Sequence, residues 1–380
     1  LKPLWLNMPW LGRLSPPRGA SLRVIRASQA SWLIAPRPLA RGAGSSARMA
    51  AGPEGSQAVA FVGLGAMGFP MAGHLARLPG HRCLVWNRTR ETAQRHAAEH
   101  GSVAVSELSA LGAAQVLVMC LPTSAEDACV AEDVAPHLSP GACVVSCTSG
   151  EPAATRRLAA SMGERFGVHF LDCPVSGGPK GASAGTLTCM LGADDEPAAE
   201  RVTPVVQSFA KKVVRCGPTG AGHAVKAINN AMNVAHLLIG AEGLLALQQM
   251  GVDPAVALDA INGSSGRSLQ TQERLPQEVL SRRFAYGFKL PLMAKDCRIA
   301  AGVLRDNCAG ASLLPAAAAL VQEAAAQESK DADYTRVVRL LERQTGSELG
   351  GAGDASGSGR AGGAGDASGS GRAGGAGDAS

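Results

Sequence analysis

Residues 60–72 read AFVGLGAMGFPMA, an apolar run that breaks on three glycines, Gly63, Gly65 and Gly68, and then resumes as a helix-like segment. The glycines have the spacing GxGxxG, after a strand-like run and before AMGFPMAGHLARL, so the local reading is strand, tight turn, helix. In such a unit the first glycine permits the turn, the second lets a pyrophosphate approach the backbone, and the third lets helix and strand pack closely. The helix N-terminus, entered through Ala66 and Met67, then faces the phosphates. In a chain with 47 glycines the triplet alone is a weak signal, but its place in the first strand–helix unit predicts a dinucleotide site.

The alternation continues downstream. CLVWN, AQVLVMCL, ACVVSC, HFLDCPV, TLTCMLG and KKVVRCG read as strands, and helix-like segments such as EPAATRRLAASMGERF separate the early ones. This α/β pattern predicts a mainly parallel, doubly wound sheet, so residues 57–217 are expected to form a Rossmann-type dinucleotide-binding domain. After Cys216 the strand signals stop. DPAVALDAI offers Asp253 as an N-cap with Pro254 at the first helical position, and two further segments, PLMAKDCRIAAGVLRDN and LLPAAAALVQEAAAQ, read as helices. Residues 218–346 are expected to be an all-helical domain that carries substrate contacts, with a cleft at the junction.

Both ends of the chain differ from this body. Residues 1–49 hold eight Lys or Arg, no Asp or Glu and three of the four tryptophans, the composition of an organellar presequence. A mitochondrial destination is expected, with a plastid as the alternative and a cytosolic form if initiation occurs at Met49. Without those eight positive charges the formal +5 becomes about −3, which does not suggest a nucleic-acid partner. From Gly350 the repeat GGAGDASGSGRA recurs, and residues 347–380 are expected to be a flexible tail without chemistry. No apolar run of transmembrane length is evident, so no membrane partner is expected. The ten cysteines are scattered without CxxC pairs or matching histidines, which favours reduced thiols over zinc or a disulfide framework.

Four further stretches carry candidate chemistry. In VWNRTRE, Asn87 stands 19 residues after Gly68, where an acid would take the ribose 2′-hydroxyl of NAD. Arg88 follows it, a planar fork suited to a 2′-phosphate, so NADP is favoured over NAD. In LDCPVSGGPKGASAGTL, Ser176, Gly177 and Gly178 offer a hydroxyl and unhindered backbone N–H groups that suit a carboxylate, although an ordinary glycine loop would look the same. GHAVKAINN holds Lys226, which with Glu242 is the only charge between Arg215 and Asp253, in a helix read as buried on most of its circumference. A buried ammonium is expensive, so Lys226 either snorkels, pairs with Glu242 or serves a site. Asn230 and Asn233 share its face, and His223 reads as a packed residue without a ligand role. Lys295 and Asp296, in LMAKD, would alone pass for a surface pair.

Taken in order, GLGAMGFPMA, DCPVSGGPKGASAGTL, GAGHAVKAINN and LMAKD resemble the β-hydroxyacid dehydrogenase family over residues 58–341, with NGSSGRS and LMAKD leaning to its 3-hydroxyisobutyrate dehydrogenase branch. The resemblance implies an NAD(P)-dependent oxidoreductase acting on a small 3-hydroxy acid or its semialdehyde, with Lys226 as acid/base and Asn230 orienting the substrate. It further implies that Ser176, Gly177 and Gly178 hold a substrate carboxylate, and that Leu121 and Pro122 in CLPTS flank the nicotinamide. Ser149 would keep a cofactor hydroxyl contact, Phe288 and Lys295 would close over the cofactor, and the helical domain would make a homodimer or homotetramer. The alternatives are an NADPH-dependent reductase of glyoxylate, succinic or tartronate semialdehyde, a 6-phosphogluconate-type oxidative decarboxylase, and a non-catalytic NADP-binding scaffold. Two departures stand out: Glu126 replaces an asparagine of the branch, and SCTS places Ser146 where the family's DxST carries its acid.

Overall fold

The computed structural model describes residues 57–350. The presequence expected over residues 1–49, including Met49, and the repeats beyond Gly350 lie outside the described residues.

Strand β1 (Gln57–Val62) sends Val59 and Phe61 into one core and Ala60 and Val62 into another, all four buried. A strand covered on both faces has no polar side, which explains the unbroken apolar run in its sequence. Helix α1 (Gly68–Ala76) leads to β2 (His81–Trp86), and α2 (Arg90–His100) to a two-residue β3 (Val103–Ala104) that carried no sequence signal. The chain then returns to the other side of β1 through β4 (Val116–Met119), α3 (Ser124–Val134), β5 (Cys143–Ser146), α4 (Pro152–Phe166) and β6 (His169–Asp172). The order β3-β2-β1-β4-β5-β6 is parallel throughout and switches direction between β1 and β4. Ligands of such sheets bind at the switch point, outside the carboxyl ends of the strands, where the glycine turn lies.

Beyond β6 the sheet is mixed. The short β7 (Val175–Ser176) and β6 pair antiparallel with β8 (Leu187–Gly192), and β8 pairs parallel with β9 (Ala210–Gly217). Helices α5 (Gly178–Ala184) and α6 (Glu196–Gln207) fill the connections.

Helix α7 (Ala221–Gln249) has 29 residues and is therefore about 43 Å long. Its own N-cap, Gly220, has no side chain to offer, and the buried Asp172 at the end of β6 does that work. Asp172 Oδ1 accepts the Gly220 N–H at 2.6 Å and Oδ2 accepts the His223 N–H at 2.7 Å. A carboxylate there satisfies two orphan donors and the positive end of the helix dipole, and it fixes α7 against the sheet. Around α7 pack α8 (Pro254–Asn262), a π-helical segment (Gln270–Leu280), α9 (Leu290–Asn307), α10 (Leu313–Gln327) and α11 (Val338–Thr345). Asp253 caps α8 by accepting the N–H groups of Ala255 at 2.8 Å and Val256 at 3.1 Å.

Three expectations need correction. By length and composition α7 does qualify as a possible membrane span, with an 18-residue window of mean hydropathy 1.2, and half of that window is buried inside the protein. Nor is α7 buried on most of its circumference, because Val225, Met232 and Ile239 are exposed. Finally, the packed chain runs past Gly346: Leu349 is fully buried, and its N–H reaches Glu342 Oε1 at 3.1 Å. Arg282 binds both Glu342 and Glu348, so these residues belong to the helical body rather than to a tail.

Candidate active site

The three glycines of the first turn have three different reasons to be glycine. Gly63 has φ +93°, and a Cβ there would collide with the Cys120 carbonyl. A Cβ on Gly68 would collide with the Gly63 carbonyl, so this glycine sets how closely α1 meets β1. At Gly65 a Cβ would meet no protein atom within 4 Å. The fold itself does not require a glycine at 65, whereas a diphosphate lying against the backbone would, and the turn fits a dinucleotide on that ground. Asn87, at the end of β2, accepts the Leu64 N–H through Oδ1 at 2.9 Å and donates to the Thr89 carbonyl at 3.0 Å. That pair of bonds holds the glycine turn beside the exposed Arg88.

A cleft of about 370 Å³ opens between the strand ends and the helical half. From the sheet side it is lined by Ala66 and Met67, by Leu121 and Pro122 after β4, by Thr148 and Ser149 after β5, and by Ser176, Gly177 and Gly178. From the helical side come Lys226, Asn229, Asn230 and Asn233 on α7, then Tyr286, Phe288, Lys295 and Asp296. Of the anticipated residues, Gly63, Gly65, Gly68, Asn87 and Arg88 lie outside this lining, at the glycine turn and the end of β2.

Lys226 is partly buried, and that burial lowers its pKa from the ordinary 10.5. Asp296 works against the shift by stabilising the ammonium, while Lys295 adds to it. The lysine thus reaches its neutral form more readily than one in water. Asn230 is held by its neighbours: Nδ2 donates to Asp296 Oδ2 at 2.6 Å and Oδ1 accepts from Asn229 Nδ2 at 3.1 Å. One Nδ2 hydrogen remains for a ligand. Lys295 donates to the Ser149 carbonyl and lies 3.2 Å from Asp296 Oδ1, so at the cleft wall it ties α9 to the loop after β5. His223 is buried, with Nδ1 2.8 Å from Thr155 Oγ1 and its pKa lowered by burial, as a packed residue.

The structure accounts for Glu126. Thr123 is the N-cap of α3, its Oγ1 accepts the Ala125 N–H at 3.1 Å, and it donates to Glu126, three residues on. TSAE is a capping pattern that the sequence displays. Sequence reasoning assigned no role to Asn229, Thr148, Asp296 or Tyr286. Asn229 sits between assigned neighbours, but Tyr286 comes from an irregular segment, and its hydroxyl lies 3.7 Å from the position of a Cβ on Gly178.

A sequence profile described as the NAD binding domain of 6-phosphogluconate dehydrogenase matches residues 58–217. A second, described as NAD-binding of NADP-dependent 3-hydroxyisobutyrate dehydrogenase, matches residues 220–341. The chain is 30% identical over 301 residues to 2-(hydroxymethyl)glutarate dehydrogenase of Eubacterium barkeri, covering 78% of this chain and 99% of that one. It is 32% identical over 298 residues to NAD-dependent L-serine dehydrogenase of Pseudomonas aeruginosa, covering 76% and 99% respectively. Among solved structures, Mycobacterium tuberculosis 3-hydroxyisobutyrate dehydrogenase with L-serine matches with a TM-score of 0.69 at 30% identity, over 75% of this chain and 99% of that one.

Proposed function

The chain belongs to the β-hydroxyacid dehydrogenase family and is an NAD(P)-dependent hydroxyacid dehydrogenase, and from that premise we propose that its substrate is a small acid of the form HOCH₂–CH(R)–COO⁻, oxidised reversibly to the semialdehyde. L-serine, 2-(hydroxymethyl)glutarate and 3-hydroxyisobutyrate, the compounds in the relatives' names, share this unit and differ only in R. The observation that carries the reading is Lys226, the only cation on α7, lining the cleft together with the Ser176–Gly177–Gly178 turn.

A nicotinamide dinucleotide held by the glycine turn and the Leu121–Pro122 turn would supply the acceptor for the alcohol's carbon-bound hydrogen as hydride, or its donor in reduction. The hydroxyl proton goes to the neutral Nζ of Lys226, and in reduction the ammonium returns it to the developing alkoxide. Asn230, oriented by Asp296, directs its remaining N–H at the substrate oxygen. Ser176 and the amides of Gly177 and Gly178 hold the carboxylate. The test is a screen of HOCH₂–CH(R)–COO⁻ acids with NAD⁺ and NADP⁺, following absorbance of the reduced nicotinamide. Turnover of at least one is expected, and a folded protein inert toward all of them overturns the assignment.

NADP is the favoured cofactor, on the strength of Arg88 and the neutral Asn87. Arg88→Ala is expected to weaken NADPH binding by about 1–3 kcal/mol, the scale of a charged hydrogen bond, and to leave NADH little changed. Equal losses for both cofactors in parallel titrations would refute the assignment.

A homodimer or homotetramer is supported by the outer face of α7, where Val225, Met232 and Ile239 are exposed at intervals of seven residues. An uncharged stripe at that spacing suits the same stripe on a second copy. Sedimentation should show a wild-type oligomer that Ile239→Glu shifts toward protomers; a wild-type protomer would dismiss the idea.

A further inference from the structure

Asp127 stands in the first turn of α3, is 2% exposed and does not line the cleft. Its two carboxylate oxygens accept two different hydroxyls, Oδ2 from Ser146 Oγ at 2.5 Å and Oδ1 from Thr148 Oγ1 at 2.7 Å. Thr148 Oγ1 in turn accepts the Leu121 N–H at 3.0 Å. One buried carboxylate therefore joins α3, the end of β5 and the turn after β4, and the last two carry Leu121, Pro122, Thr148 and Ser149 into the cleft. Burial raises the Asp127 pKa to about 6, with the two hydroxyls and Lys295 of α9 opposing the rise and Glu126 adding to it. At neutral pH the group is a carboxylate that can only accept, so both hydroxyl protons point at it and the Thr148 lone pair is left facing the Leu121 amide. The hydroxyl of Ser146 at the end of β5 thus meets a carboxylate that arrives from the neighbouring helix.

We infer that Asp127 is a positioning residue for the cofactor side of the cleft, acting through Thr148 to hold the Leu121–Pro122 turn in place. The inference rests on the dinucleotide-dependent activity proposed above. Without the carboxylate the Thr148 hydroxyl loses the acceptor that fixes its rotamer, and the part-buried Leu121 N–H loses an oriented partner. The turn beside the dinucleotide then loosens, and small displacements at a reacting centre are costly.

The test is a mutant cycle read by the Kd of NADPH and NADH from nicotinamide fluorescence, with Tm recorded for each variant. Asp127→Ala and Thr148→Val are each expected to raise the Kd of the dinucleotide that the wild type binds about tenfold. Their combination should also give about tenfold rather than a hundredfold, because both act on one path. Asp127→Asn, which keeps an oxygen for Thr148, should lose less than about threefold. If Asp127→Ala does not fold, Asp127→Ala with Ser146→Ala removes the stranded Ser146 hydroxyl, leaves Thr148 as the one unanchored hydroxyl, and should show the same tenfold loss. An Asp127→Ala enzyme that binds like the wild type, or additive losses in the double variant, overturns the inference alone. A wild type that binds neither dinucleotide removes it together with the activity on which it rests.

Discussion

Replacing Lys226 by alanine is expected to lower kcat by about 10²–10⁴-fold, the usual contribution of a positioned acid/base, while the Kd of the nicotinamide cofactor stays within about twofold of wild type. The split follows from location, since Lys226 reaches the cleft from α7 whereas the glycine turn proposed for the diphosphate belongs to the sheet. Oxidation needs the neutral amine, so kcat/KM for the alcohol should rise with pH and level off above the lysine pKa, which burial holds below 10.5. Reduction needs the ammonium and should fall over the same range. Lys226→Arg fixes the charge and should remove the rising limb altogether. Alanine variants that turn over at the wild-type rate would rule the lysine out as the proton carrier.

The second large effect is at the glycine turn, where two neighbouring glycines should fail in opposite ways. Gly65→Val projects into space that the protein leaves open, so Tm should move by no more than about 2 °C. Cofactor affinity should nevertheless fall about 10- to 100-fold, because the added methyl groups stand where the diphosphate comes against the backbone. Gly68→Ala should instead destabilise the fold by about 1–3 kcal/mol, since its methyl collides with the Gly63 carbonyl and forces α1 away from β1. Calorimetry and cofactor titration on the two variants separate these outcomes. A Gly65→Val protein that binds normally would place the diphosphate elsewhere.

Several features of the site were readable one residue at a time. The lone cation on an apolar helix announced Lys226, and the glycine spacing after a strand announced the turn, because both patterns are local. Glu126 was readable too, as the third residue after a threonine cap. Lys295 was not, since its sequence neighbourhood gives no sign that it spans to a carbonyl 146 residues away. The exposed apolar stripe on α7 was not readable either. Composition alone cannot tell a helix buried on all sides from one whose exposed stripe is uncharged, and only the neighbouring helices decide which side is covered.

The sequence by itself determined the parallel strand–helix core, the glycine turn after the first strand, the helical second half and the lysine that enters the cleft. Each is written in periodicity or in residue type over a few turns of chain, and local sterics and burial suffice to specify it. Only the tertiary structure decided which polar groups meet. Asp127 joins hydroxyls 19 and 21 residues away, Asp172 caps a helix whose N-cap residue lies 48 residues later, and Asn230 finds Asp296 across 66 residues. Such bonds are created when sheet order and helix packing bring chain ends together, and a buried carboxylate is stable only where donors have already been placed to receive it.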